Sequence, residues 1–86
     1  MDLERIRRLT KEEREHLNID DLTMSEMKAV IEETILSETN FKIAKYRFLQ
    51  LKDAETIGEK LGYDSRTVAA RIKFIKERLK NTIINI

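Results

Sequence analysis

Apolar residues recur at helical spacing along most of the chain. In "LERIRRL", Leu3, Ile6 and Leu9 fall on one side of a short helix. Met24, Met27, Val30 or Ile31, and Ile35 repeat every three or four residues and predict a buried stripe on a helix ending near Leu36. Phe41, Ile43, Ala44, Tyr46, Phe48 and Leu49 supply the apolar side of a further helix. A short helix carries Ile57 and Leu61, and a long final one, running to about Asn81, carries Val68, Ile72, Ile75 and Leu79, with Ile83 continuing the stripe. The pattern predicts an all-α protein.

Polar residues punctuate these runs where helix ends need them. Thr10 with Glu13, and Thr23 with Glu26, have the form of capping boxes, in which a hydroxyl and a carboxylate satisfy the free N–H groups of the first turn. "KEEREHL" follows the first box with little apolar surface, and Asn18, Asp20 and Asp21 read as a break. Ser37 or Thr39 caps the helix of Phe41, Asp53 caps the short one, and Asp64 caps the last. Glu55 favours the positive end of its helix. Gly62 follows Leu61 where a left-handed C-terminal cap needs a residue without Cβ. Gly58 is expected where the last two helices cross, and Ile57, Leu61, Tyr63, Val68 and Ile72 are spaced to close one small core between them. Cap, short helix, glycine turn, cap and long helix are the marks of a helix-turn-helix.

With no proline and only two glycines among 86 residues, long helices meet few interruptions. The length allows one small core. We divide the chain into an N-terminal helical segment, 1–36, for packing or oligomerisation, and a three-helix helix-turn-helix unit, 37–86, ending in a long recognition helix.

Net charge is only +1, but it is unevenly distributed. Residues 1–36 hold six Lys/Arg and ten Asp/Glu, or −4, and residues 37–86 hold eleven and six, or +5. From Asp64 onward the balance is six to two, or +4, so a polyanion partner is expected at the last helix.

Cysteine is absent, which removes disulfides, thiolate metal sites and a cysteine nucleophile. His16 stands among carboxylates with too few ligands nearby for a metal, and Glu32 and Glu33 point about 100° apart on a helix. No nucleophile triad or phosphate-cradling glycine loop is visible, so neither enzyme activity nor a cofactor is expected. No leader or membrane-crossing stretch is read, and a cytoplasmic location with no membrane partner is expected.

The run "SETNFKIAKYRFLQLKDAETIGEKLGYDSRTVAARIKFIKERLK", Ser37 to Lys80, resembles region 4 of bacterial sigma factors and the small sigma-like regulators of phages and mobile elements. The residues that carry the resemblance are Arg47-Phe48, Thr56-Ile57-Gly58, Leu61-Gly62, Asp64, Thr67-Val68 and Arg71. Residues 1–36 lie outside it and show no sigma region 2. The resemblance implies a protein that binds double-stranded DNA by placing the N-terminal turns of its last helix in the major groove. With Val68 and Ile72 inward, Ser65, Arg66, Ala69, Ala70 and Lys73 face the bases, Arg66 offering two donors to guanine and the alanines meeting thymine methyl groups. Thr67, Arg71, Lys73 and Lys76 are placed for phosphates. Arg71 has a second option, pairing with Glu55 or Glu59 to brace the motif.

The stripe Val68–Ile83, with Ile84 and Ile86 beyond it, is longer than a compact three-helix unit covers. Its cover is either the helix of Met24, Met27 and Ile31 or the same surface of a second chain, and the expectation tilts toward a two-fold homodimer reading paired half-sites. The functional readings are a DNA-binding transcription regulator, an RNA polymerase-contacting module of region 4 shape, or a small terminase-like DNA-recognition subunit.

Overall fold

A computed structural model describes residues 3–86, and the described chain is helical without strands. α1 (Glu4–Arg7) and α2 (Lys11–His16) are short, a 3-10 turn spans Ile19–Asp21, and α3 covers Met24–Glu33. α4 (Glu38–Ala44) opens into a π turn at Lys45–Leu49, where Gln50 N donates to Lys45 O at 3.1 Å, five residues back. α5 (Ala54–Leu61) and α6 (Ser65–Asn85) complete the chain.

The local signals account for the helix starts. Both capping boxes form: Glu13 N donates to Thr10 Oγ1 and Glu26 N to Thr23 Oγ1, each at 3.1 Å, and the two glutamates accept from the cap N–H groups. Ser37, rather than Thr39, caps α4. Asp53 accepts from Thr56 N at 2.8 Å, and that bond holds its carboxyl below the ordinary carboxylate range.

α6 is the axis of the molecule. At 21 residues it is about 30 Å long, and α2, the 3-10 turn, α3, α4 and α5 all pack on it. Val68, Ile75, Leu79 and Ile83 are fully buried. They share one core with Leu3, Ile6, Ile19, Met27, Val30 and Ile31 from the N-terminal segment and with Ile43, Ala44, Phe48 and Ile57. Of the two covers considered for the extended stripe, the chain's own N-terminal segment lies over it. Ile84 and Ile86 are half-buried, and α6 runs to Asn85 rather than Asn81. Arg14 of α2 donates to Ile86 O at 2.6 Å and to Arg7 O at 2.9 Å, placing a cation at the negative end of α6.

Several predicted core positions lie elsewhere. α3 stops at Glu33 because Thr34 turns out of the helix, its hydroxyl 2.7 Å from Val30 O and 2.6 Å from the Thr82 hydroxyl. Ile35 thus sits in an extended link, 85% exposed, and Met24, in the first turn, is also exposed. Tyr63 belongs to the turn between α5 and α6 and is exposed, while Leu61 and Ile72 are only half-buried. Leu51 is left-handed (φ 56) and largely exposed at the end of the π turn, where Lys52 N bonds back to Tyr46 O at 3.0 Å.

Gly62 adopts the left-handed conformation (φ 79), and Gly62 N and Tyr63 N both donate to Gly58 O, at 2.8 and 2.9 Å. Gly58 itself lies against this turn and the first residue of α6, Ser65. A Cβ there would lie 2.5 Å from the Tyr63 carbonyl oxygen. The absence of a side chain at Gly58 is what lets the chain double back so sharply.

Glu26 ties the N-terminal segment together. Its buried carboxylate accepts from Arg5 Nε and Nη2, both at 2.8 Å, while also capping α3. The Arg5 bonds hold its carboxyl below the ordinary value of 4.5, helped by Thr23 N–H against the opposing effect of burial.

Two stability outcomes follow from these contacts. Gly58→Ala sets a methyl group against backbone that no side-chain rotation relieves, and is expected to cost about 2–3 kcal/mol, read as a fall in melting midpoint of roughly 10–20 °C. The depressed Glu26 carboxyl contributes stability that is complete above its unfolded value and is lost as pH falls through its folded value. Urea melts between about pH 5 and pH 2 should show this acid loss, and Glu26→Gln should flatten it.

Candidate nucleic-acid interface

Asp64 fixes the first turn of α6: its Oδ1 accepts from Arg66 N at 2.8 Å. Because the buried stripe takes one side of the helix, rotation by about 100° per residue sends Arg66, Ala70, Lys73 and Phe74 to the opposite side. Ser65, Arg66, Thr67, Ala69, Ala70, Lys73 and Lys76 are all exposed. The Arg66 side chain is 92% exposed and, among the described residues, approaches a carboxylate only at Asp64 Oδ1, 3.4 Å from its Nε. Such a contact is weak in water and leaves the guanidinium free to exchange partners.

Among the described residues, no carboxylate lies within 4.0 Å of Lys73, Lys76 or Lys80. The other ion pairs are Arg5–Glu26, Arg8–Glu4 and Lys42–Glu38, away from α6. Apart from the weak Arg66–Asp64 contact, the flank is thus a row of cations with no carboxylate partner among the described residues.

Arg71 is different. It is half-buried, its Nη1 donates to Asn40 Oδ1 at 3.0 Å, and its guanidinium lies 5.5 Å from the centre of the Tyr63 ring. The bracing partner is therefore the buried Asn40 amide near the start of α4, not Glu55 or Glu59. Through Arg71, the first turns of α6 are held to α4 on one side and to the turn residue Tyr63 on the other.

Phe74 is the residue that sequence reasoning passed over. It is 51% exposed and shares a shallow depression with Asn40, Arg66, Thr67, Ala70 and Arg71. The Arg78 guanidinium stands 6.0 Å from its ring centre. The available signal was its register: Phe74 falls between Ile72 and Ile75 but off the stripe at 68, 75, 79 and 83. Asn40 carried no comparable signal, because its partner is 31 residues away.

Among the described residues, no group of three or more His, Cys, Asp or Glu side chains comes together to hold a metal. No helix of the described chain is long and apolar enough to cross a membrane. No protein-family model, curated protein or solved structure matches the chain.

The geometry separates the two arginines by stability. Arg71→Ala leaves the buried Asn40 oxygen without its donor and is expected to cost about 1–3 kcal/mol. Arg66→Ala, at an exposed position, should change stability by less than about 0.5 kcal/mol. Denaturant melts of the two variants beside the parent chain check both values.

Proposed function

We propose that the protein is a DNA-binding transcriptional regulator in which α5, the Gly62–Asp64 turn and α6 act as a helix-turn-helix, with α6 lying in the major groove. The supporting observation is the division of α6: one face is closed over by the rest of the chain, and the opposite face offers Arg66 and Lys73 to solvent from the first turn onward, with Lys76 exposed at the edge between the two faces. A helix N-terminus carries a partial positive charge, which these cations reinforce toward phosphates.

In this reading Arg66 donates to a guanine edge and Ala69 and Ala70 allow close approach to the base pairs. Ser65, Thr67, Lys73 and Lys76 hold the phosphate backbone and fix register. Arg71 positions α6 through Asn40 and Tyr63. The cover supplied in cis to the α6 stripe makes a single chain a sufficient binding unit.

A second reading, a module that contacts RNA polymerase, is favoured by a separate feature. Met24 and Leu51 are exposed apolar side chains on a depression of ≈ 240 Å³ that Leu22, Met27, Phe48 and Ile72 also line, with Asp20, Arg47 and Lys76 as its charged members. Such a surface suits an apolar side chain of a protein partner.

Titration against duplex DNA at several salt concentrations distinguishes the two. Contact with roughly 4–6 phosphates gives a log–log slope near −4 to −5. Arg66→Ala should cost about 1–3 kcal/mol on a selected site and little on random duplex, whereas Lys76→Ala should weaken both and reduce the slope by about one. A flat salt response with a silent Arg66→Ala rejects DNA reading and leaves the polymerase module.

A further inference from the structure

We propose that Phe74 is a base-reading residue whose ligand is the C5-methyl group of thymine, met by a continuous apolar strip formed with Ala70. The inference rests on the proposed DNA-binding reading and adds to it the chemical character of the sequence preferred.

Arg66, Ala70 and Phe74 are spaced four residues apart on the solvent side of α6, so they form one line along the helix. Arg66 is a polar head at the first turn, and Ala70 and Phe74 continue the line as apolar surface over the next two. The major-groove edge of DNA displays donors, acceptors and one apolar group, the thymine methyl. A line that passes from guanidinium to methyl to aromatic ring therefore complements a guanine followed by thymine, and it lacks donors and acceptors for other bases.

Two features indicate that this strip meets a nucleic acid and not the apolar face of a protein. The depression around Phe74 is bounded by Arg66, Arg71, Thr67 and Asn40, and Arg78 stands over the ring, so its rim is cationic and hydrogen-bonding. Glu77, the only carboxylate within α6, lies beyond Phe74 along the helix. Glu77 takes the next place on the outer face, so the base-reading part of that face ends at Phe74, while Lys76 at its edge remains available to a phosphate. At about 1.5 Å per residue, Ser65 to Phe74 spans roughly 13 Å, comparable to the major-groove width of about 12 Å.

The test begins with duplexes selected from a random pool by the parent protein. Each thymine of the selected duplex is then replaced singly by deoxyuridine, which removes the methyl group and keeps the base pair. At the position read by Phe74 the parent protein should lose roughly fourfold in affinity, the worth of one buried methyl. Phe74→Ala should show that loss on the unmodified duplex and no further loss with deoxyuridine there, and Phe74→Leu should retain most of the parent affinity. Circular dichroism verifies that the variants stay folded, as expected for a half-exposed side chain.

Additive losses from Phe74→Ala and deoxyuridine at every thymine would overturn the assignment. So would equal weakening on selected and random duplex, or loss of self-association in Phe74→Ala, which would give the ring to a second copy of the chain. Absence of salt-dependent duplex binding by the parent protein would reject the DNA-binding reading itself, and Phe74 as a reader with it.

Discussion

α6 turns once every 3.6 residues, and the chain closes over the face carrying Val68, Ile75, Leu79 and Ile83. That burial governs the rest of the molecule, because α3, α4 and α5 bring apolar side chains to this one helix and α2 packs beside it. It also determines what solvent meets. A helix buried along one side must present the residues half a turn away, and in the first three turns these are Arg66, Ala70, Lys73 and Phe74. A substitution that loosened the stripe would therefore disturb the outer face without touching it.

Burial alone leaves α6 free to slide or roll, and three short-range contacts remove that freedom. The turn is closed by two N–H groups on the Gly58 carbonyl, and Gly58 has no Cβ to push the Tyr63 carbonyl away. Asp64 fixes where the helix starts. Arg71 spans from Asn40 to the Tyr63 ring, so one side chain links α4, the turn and α6. Neutral partners suit this place, since a carboxylate on Arg71 would cancel charge next to the cationic flank. The brace leaves the positive charge in place.

The parts of this arrangement that were legible in the sequence are those set by neighbours in the chain. Thr10–Glu13, Thr23–Glu26, Ser37, Asp53 and Asp64 act within three residues of themselves, and Gly62 was readable from the one conformation that demands it. The exposed positions of α6 followed from its period. What failed depended on distant partners. Ile35 belonged to the α3 stripe until Thr34 left the helix for Val30 and Thr82, 48 residues on. Tyr63 is a turn residue under Arg71 rather than a core residue, and the choice between two covers for the long α6 stripe stayed open in the sequence because the N-terminal segment's packing on it is tertiary. Phe74 was missed because an aromatic residue between two stripe positions reads as core unless its angle on the helix is followed.

The charge distribution acts at longer range than any of these contacts. The molecule extends about 40 Å along its principal axis, and electrostatic fields decay over about 8 Å at physiological ionic strength. The excess of carboxylates in residues 1–36 therefore cannot offset the cations of α6 wherever more than a few screening lengths separate them, and a net charge of +1 understates the local field. The pairs Glu26–Arg5 and Glu4–Arg8 form within that segment and leave its balance of −4 unchanged. An approaching polyanion meets a surface that attracts on one side and repels on another, so orientation is selected before contact. In the proposed DNA-binding reading, with one guanidinium, two alanines and a ring on the outer face, such steering matters more than usual. Sparse base contacts would then discriminate only with the helix delivered to the groove in register, and Lys73 and Lys76, free of carboxylate partners among the described residues, are the groups that reading assigns to deliver it.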